Sequence, residues 1–153
     1  MFSPYRLRFG GILLQILGLT LALTEMHTVA ALERKYIVVH EKDNRAELRM
    51  RSSQTLIVDL VSQPGTGYTW KIFRFDETLW KSNRLDASDI KELVKGHVLR
   101  ERVQSGLPGS EEEQVFQFVP KMQGSTEIEI RYVRPWEPAV PARAFKLRVE
   151  LTN

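Results

Sequence analysis

Three stretches of this chain alternate apolar and charged residues with a period of two, and that pattern constrains the fold more than any other feature. Ala46, Leu48 and Met50 interleave with Glu47, Arg49 and Arg51. Ile128, Ile130 and Tyr132 interleave with Glu127, Glu129 and Arg131, and Phe145, Leu147, Val149 and Leu151 with Lys146, Arg148 and Glu150. Successive side chains of an extended chain point to opposite faces, so each stretch has one dry and one wet side. They read as strands of sheets with a single buried face. Tyr36 to His40, Thr55 to Val61, Trp70 to Phe75, Val98 to Val103 and Val115 to Val119 are rich in β-branched or aromatic residues and extend the strand set. Ala87 to Val94 is the one helix-like stretch, with Ser88 or Asp86 as its N-cap, and a single turn or none is expected there. Seven to nine short strands separated by turn signals predict an all-β, immunoglobulin-like β-sandwich with Greek-key connections.

Residues 1–31 stand apart from that domain. Arg6 and Arg8 precede an apolar run from Gly10 to Leu23, and Thr28, Val29, Ala30 and Ala31 offer small residues for a cut. This is the pattern of a secretory signal peptide. The run is shorter than the roughly 18 to 20 residues a spanning helix needs, so no stable membrane association is expected after cleavage. Thr24 to His27 make an untidy approach to the cut, which leaves an uncleaved anchor as the alternative. Residues 32–153 then form one exported domain, periplasmic or secreted, of a size that can bury a core of its own. The chain has no cysteine. A lipidated cysteine and a disulfide scaffold are both excluded, and the core alone must hold the domain. Across the chain 22 Lys and Arg face 19 Asp and Glu with the signs interleaved, which provides no basic stripe for nucleic acid. A monomer is expected.

The residues that carry catalysis are missing. After the leader, His40 and His97 are the only histidines, and neither has metal-ligand spacing; both read as strand or strand-edge residues. Ser110 followed by Glu111, Glu112 and Glu113 is a solvated run entering a strand, not a nucleophile with its base. Gly106, Leu107, Pro108 and Gly109 lack the Lys-Ser/Thr and the following helix of a phosphate-binding loop. No enzyme activity, metal or cofactor is expected.

The glycines and prolines carry the remaining information. Gly65, Gly67, Gly106 and Gly109, with Pro64, Pro108, Pro135, Pro138 and Pro141, fall in three connections: Ser62 to Thr69, Gln104 to Glu113 and Arg134 to Arg143. Proline fixes φ and glycine permits positive φ, so each loop should have a defined shape. Alternate connections of a Greek-key sandwich emerge at the same end, where shaped loops can form a binding surface. For any one loop alone, ordinary turn chemistry is a sufficient explanation.

Taken together, the three loops resemble the chagasin family of papain-like cysteine peptidase inhibitors. Gln63-Pro64-Gly65-Thr66-Gly67-Tyr68-Thr69-Trp70 resembles that family's Asn-Pro-Thr-Thr-Gly-Tyr/Phe loop. Gly106-Leu107-Pro108-Gly109-Ser110, with Val115 to Phe118 after it, is similar to the family's glycine-rich loop and following strand. Tyr132-Val133-Arg134-Pro135-Trp136-Glu137-Pro138 matches its Arg-Pro-Trp loop. The resemblance implies a reversible, non-covalent inhibitor whose partner is a papain-like cysteine peptidase. Pro64, Gly65, Thr66, Gly67 and Tyr68 would then lie against the catalytic cysteine and histidine. Gly106, Leu107, Pro108 and Gly109 would follow the non-primed side of the cleft, and Arg134, Pro135 and Trp136 the primed side. Gln63 stands where the family has Asn, and Gly65 where it has its first Thr, so one hydroxyl is absent and a retuned affinity is implied. Trp70 and Trp80 are expected in the core, Trp136 on the contact surface, and Tyr68 in either place. The rival readings are a structural or adhesive envelope domain of the same fold and, more weakly, a small-ligand carrier, which would need an apolar cavity.

Overall fold

The computed structural model describes residues 35–99, 110–137 and 140–153. The expected signal segment 1–31 and the loop residues Gly106, Leu107, Pro108 and Gly109 lie outside them. Eight strands are described: β1 (Tyr36–His40), β2 (Glu47–Arg51), β3 (Thr55–Ser62), β4 (Thr69–Arg74), β5 (Trp80–Arg84), β6 (Glu112–Pro120), β7 (Gly124–Val133) and β8 (Arg143–Thr152). They form two four-stranded sheets, ordered β1-β3-β6-β5 and β2-β8-β7-β4. β1 runs parallel to β3 and β2 parallel to β8, while the remaining pairs are antiparallel. The molecule is the expected immunoglobulin-like sandwich.

The alternating residues do what their period dictates. Ile128, Ile130, Phe145, Leu147 and Val149 are fully buried between the sheets with Leu56, Val58, Leu60, Trp70, Trp80 and Phe118. On the opposite face of the second sheet the charges pair across strands, Arg49 with Glu150 at 2.7 Å and Arg148 with Glu47 at 3.0 Å. Glu129, on that same outer face, is itself buried beneath a guanidinium. Burial pushes its carboxyl up, but the hydrogen bond from Arg131 (2.6 Å) and the charges of Arg131, Lys146 and Arg74 outweigh this and hold it below the usual carboxylate range.

The structure corrects the expectations for the helix, for Val98 to Val103 and for His97. The sheet containing β3 is covered on both faces. Ile57 and Val115 point away from the sandwich into a second apolar cluster with Leu85 and Leu99, against which Ile90, Leu93 and Val94 pack. Those last three belong to α1 (Ala87–Lys95), a full nine-residue helix rather than a single turn. Asp86 caps it, accepting from the backbone N–H groups of Ser88 and Asp89 at 2.9 Å each. Ile90, Leu93 and Val94 fall at helical spacing, so tertiary burial stabilises a segment too short to persist alone. Val98 and Leu99 are bends after α1 rather than the start of a strand, because their backbone amides fold back to the carbonyl of Leu93; positions 100–103 lie outside the described residues. His97 is likewise not on a strand, since it turns the chain with φ 60°. β5 is an additional strand, and its Trp80 is core as expected.

Candidate functional site

Strand register brings the loops together. Ser62 at the end of β3 pairs with Glu112 at the start of β6, Thr69 at the start of β4 with Val133 at the end of β7, and Tyr132 with Arg143 at the start of β8. The connections 62–69 and 134–143 therefore share one end of the sandwich with the strand that follows the second loop. Gln114 ties the two sheets together there. Its buried side-chain carbonyl accepts from the Trp70 backbone N–H (2.7 Å), and its amide nitrogen lies 2.9 Å from the Thr69 hydroxyl. The Trp70 indole N–H donates to the Val61 carbonyl at 2.9 Å, which fixes the base of the first loop from within.

The first loop is a short 3-10 turn over Pro64–Thr66. Proline supplies the first φ, and the turn closes when the Gly67 N–H donates to the Pro64 carbonyl at 3.0 Å. Gly67 leaves the turn in the left-handed region at φ 78°, where glycine has no steric penalty. The Thr66 hydroxyl is turned inward and donates to the Gln63 carbonyl at 2.6 Å. The Gln63 N–H in turn donates to the Tyr132 hydroxyl at 2.9 Å. Pro64, Gly65 and Thr66 form the exposed apex.

The third loop begins with a tight turn in which the Glu137 N–H donates to the Arg134 carbonyl at 2.9 Å. Proline at the second position of that turn is preset for it. Trp136 is 66% exposed, the largest aromatic surface offered by the described residues. Its ring rests on the first loop: a Cβ on Gly67 would lie 2.7 Å from Trp136 Cη2. Only a glycine lets the two loops approach this closely. Tyr68 is half-buried and stacks on Tyr132, with ring centroids 5.2 Å apart, and the Arg134 guanidinium lies over the Tyr68 ring at 4.6 Å.

Of the site residues expected from sequence, Pro64, Gly65, Thr66, Gly67 and Tyr68 are thus assembled with Arg134, Pro135 and Trp136 at one end. Tyr68 and Arg134 also lie against each other, with 39% of the Arg134 side chain exposed. Tyr132 and Gln114, which shape the loops, were legible as strand residues only. The apolar period conceals the Tyr132 hydroxyl, and nothing local marks Gln114 as a bridge.

The model of the family described as Chagasin family peptidase inhibitor I42 matches residues 49–149, from β2 through β8 and across all three connections. The chain belongs to the chagasin family. Amoebiasin-2 of Entamoeba histolytica is 28% identical over 105 residues, 67% of this chain and 76% of that protein. The crystal structure of the cysteine protease inhibitor EhICP2 from Entamoeba histolytica superposes with a TM-score of 0.56 at 21% identity, over 76% of this chain and 95% of that one. The solution structure of Amebosin superposes with a TM-score of 0.55 at 19% identity, over 76% and 98% of the two chains. These two solved structures share the sandwich fold with it. As a member of the chagasin family the protein is a peptidase inhibitor and not an enzyme.

Proposed function

We propose that this chagasin-family protein reversibly and non-covalently inhibits papain-like cysteine peptidases by filling the active-site cleft with its three-loop end. The observation that carries the reading is the exposed Trp136 seated on Gly67, which joins the first and third loops into one ridge. A large aromatic held in one place at the rim of shaped loops has the chemistry of an interface anchor. A related protein of this fold, EhICP2, is a cysteine protease inhibitor. Pro64, Gly65, Thr66 and Gly67 approach the catalytic cysteine and histidine, Gly106, Leu107, Pro108 and Gly109 follow the non-primed side, and Pro135 and Trp136 cover the primed side. Loops stiffened by proline and internal hydrogen bonds lose little entropy on binding, so a small patch can hold tightly. Papain should lose activity in the protein's presence, regain it on dilution, and leave the inhibitor uncleaved. Cleavage at Gly65-Thr66 or undiminished papain activity refutes the reading.

Residues 1–31 are proposed to direct export. The chain recovered outside the cytoplasm should begin at or within a few residues of Ala31. A chain of full length retained in the inner membrane would indicate an anchor.

The departure at Gly65 is open to a direct test. Gly65 lies within the 3-10 turn and does not have positive φ, so a side chain there meets no left-handed strain. The backbone is helical rather than β-like, and the Thr66 hydroxyl is engaged within the loop. Gly65→Thr therefore adds the one hydroxyl at the apex that is not committed to the turn. Binding to papain should tighten by about 0.5 to 1.5 kcal/mol, the range of a single hydrogen bond. Gly65→Ala should give only the smaller gain that comes from restricting the unbound loop. Equal weakening by both would exclude a contact at this position.

A further inference from the structure

We propose that Arg143 and Tyr132 are positioning residues for the inhibitory end, acting through a column Arg143–Tyr132–Tyr68–Arg134 that locks the first and third loops together. The proposal rests on the inhibitory reading above and extends it to two residues that are not among the peptidase-contacting positions assigned there. The Arg143 guanidinium lies 4.4 Å from the Tyr132 ring centroid and 5.2 Å from that of Trp70. Tyr132 stacks on Tyr68 at 5.2 Å with the rings inclined by 22°, and the Arg134 guanidinium lies over the Tyr68 ring at 4.6 Å. Each of the two stacked rings thus has a guanidinium over it. Each contact is attractive, because the negative ring face meets positive charge.

The column, with the hydrogen bond that Tyr132 accepts from Gln63, reaches both ends of both loops. Tyr68 ends the first loop, and the Gln63 N–H at its start is held by the Tyr132 hydroxyl at 2.9 Å. Arg134 opens the third loop and Arg143 closes it. Arg143 is itself oriented: its guanidinium lies 2.7 Å from a Glu41 carboxylate oxygen and 3.5 Å from the Val61 carbonyl, at the end of β3 from which the first loop departs. The guanidinium faces the Tyr132 ring and reaches the Glu41 carboxylate and the Val61 carbonyl at once, a spread of donors that the single compact ammonium of lysine does not reproduce. A shift of Arg143 would loosen Tyr132, then Gln63 and Tyr68, and finally the seat of Trp136 on Gly67. None of these residues needs to touch the peptidase for the loop spacing to depend on them.

The test uses Arg143→Ala, Arg143→Lys and Tyr132→Phe in the full-length protein, with 5-fluorotryptophan incorporated. The chain has three tryptophans, and the Trp136 fluorine signal is identified by its loss in Trp136→Ala. Arg143→Ala should raise the papain inhibition constant about tenfold, equivalent to about 1.4 kcal/mol, with a melting transition still well above the assay temperature. It should also move the Trp136 signal toward that of a solvent-exposed tryptophan while those of Trp70 and Trp80 stay in place. Arg143→Lys should resemble Arg143→Ala, and Tyr132→Phe should show the same direction to a smaller degree. A Trp136 signal unchanged in both Arg143→Ala and Tyr132→Phe overturns the column, as does wild-type behaviour of Arg143→Lys. If the unmodified protein does not inhibit papain, the proposed function fails, yet the fluorine signals still decide whether the column positions Trp136.

Discussion

Trp136→Ala should weaken inhibition of papain by about thirtyfold or more, the effect of truncating a central interface aromatic, and leave the melting temperature nearly unchanged. Both halves of this expectation follow from where the three tryptophans lie. Trp70 and Trp80 are at most 1% exposed and belong to the core, whereas Trp136 is 66% exposed. Removing a core tryptophan costs on the order of 3 to 5 kcal/mol of stability, but removing one that water already covers costs little. Its ring still packs on Gly67, so it is presented in one orientation before any partner arrives, and a preformed anchor avoids ordering costs on binding. Inhibition constants and thermal melts of wild type and variant separate the two effects. A collapse in melting temperature would place Trp136 in the core, contrary to its exposure.

Gly67→Ala should be the most damaging small substitution in the first loop, raising the inhibition constant about tenfold or more. Two costs combine at this position. At φ 78° an alanine pays roughly 1 to 2 kcal/mol relative to glycine for the left-handed conformation. The added methyl would also lie 2.7 Å from Trp136 Cη2, closer than carbon atoms approach, so the indole must leave its seat. The two costs are separable. Combined with Trp136→Ala, the Gly67→Ala substitution should retain the strain and lose the collision, so the double variant should bind better than additivity predicts. Full additivity would show that the contact between the loops does not matter.

The fold was legible because a two-residue period over β2, β7 and β8 admits one local structure, and the strand register then carries the loops to one end. The helix was not, since Ile90, Leu93 and Val94 form an apolar stripe of under three turns that acquires stability only against Ile57 and Val115. The same packing explains why β3 looks like a continuous apolar run: both of its faces are covered. At the loop end, proline and glycine mark where the chain turns, so Pro64, Gly67 and Pro135 could be read directly. Which side chains face outward could not. Tyr68 and Arg134 belong to recognisable motifs, yet each is turned onto the other by stacking partners distant in sequence. Arg143 sits at the edge of a regular strand, where an arginine is unremarkable, and only the rings of Tyr132 and Trp70 beside it give it a role.

The most direct measurement of the account is calorimetric titration of the protein against papain blocked in two ways, with a methylthio group on the catalytic cysteine and with a covalent peptidyl label that fills the cleft. Cleft occupation by non-covalent contact predicts that the small cap weakens binding modestly, and that the cleft-filling label abolishes it. Undiminished binding to the labelled enzyme would put the contact outside the cleft, and loss of all binding to the methylthio form would show dependence on the free thiol; either result contradicts the account.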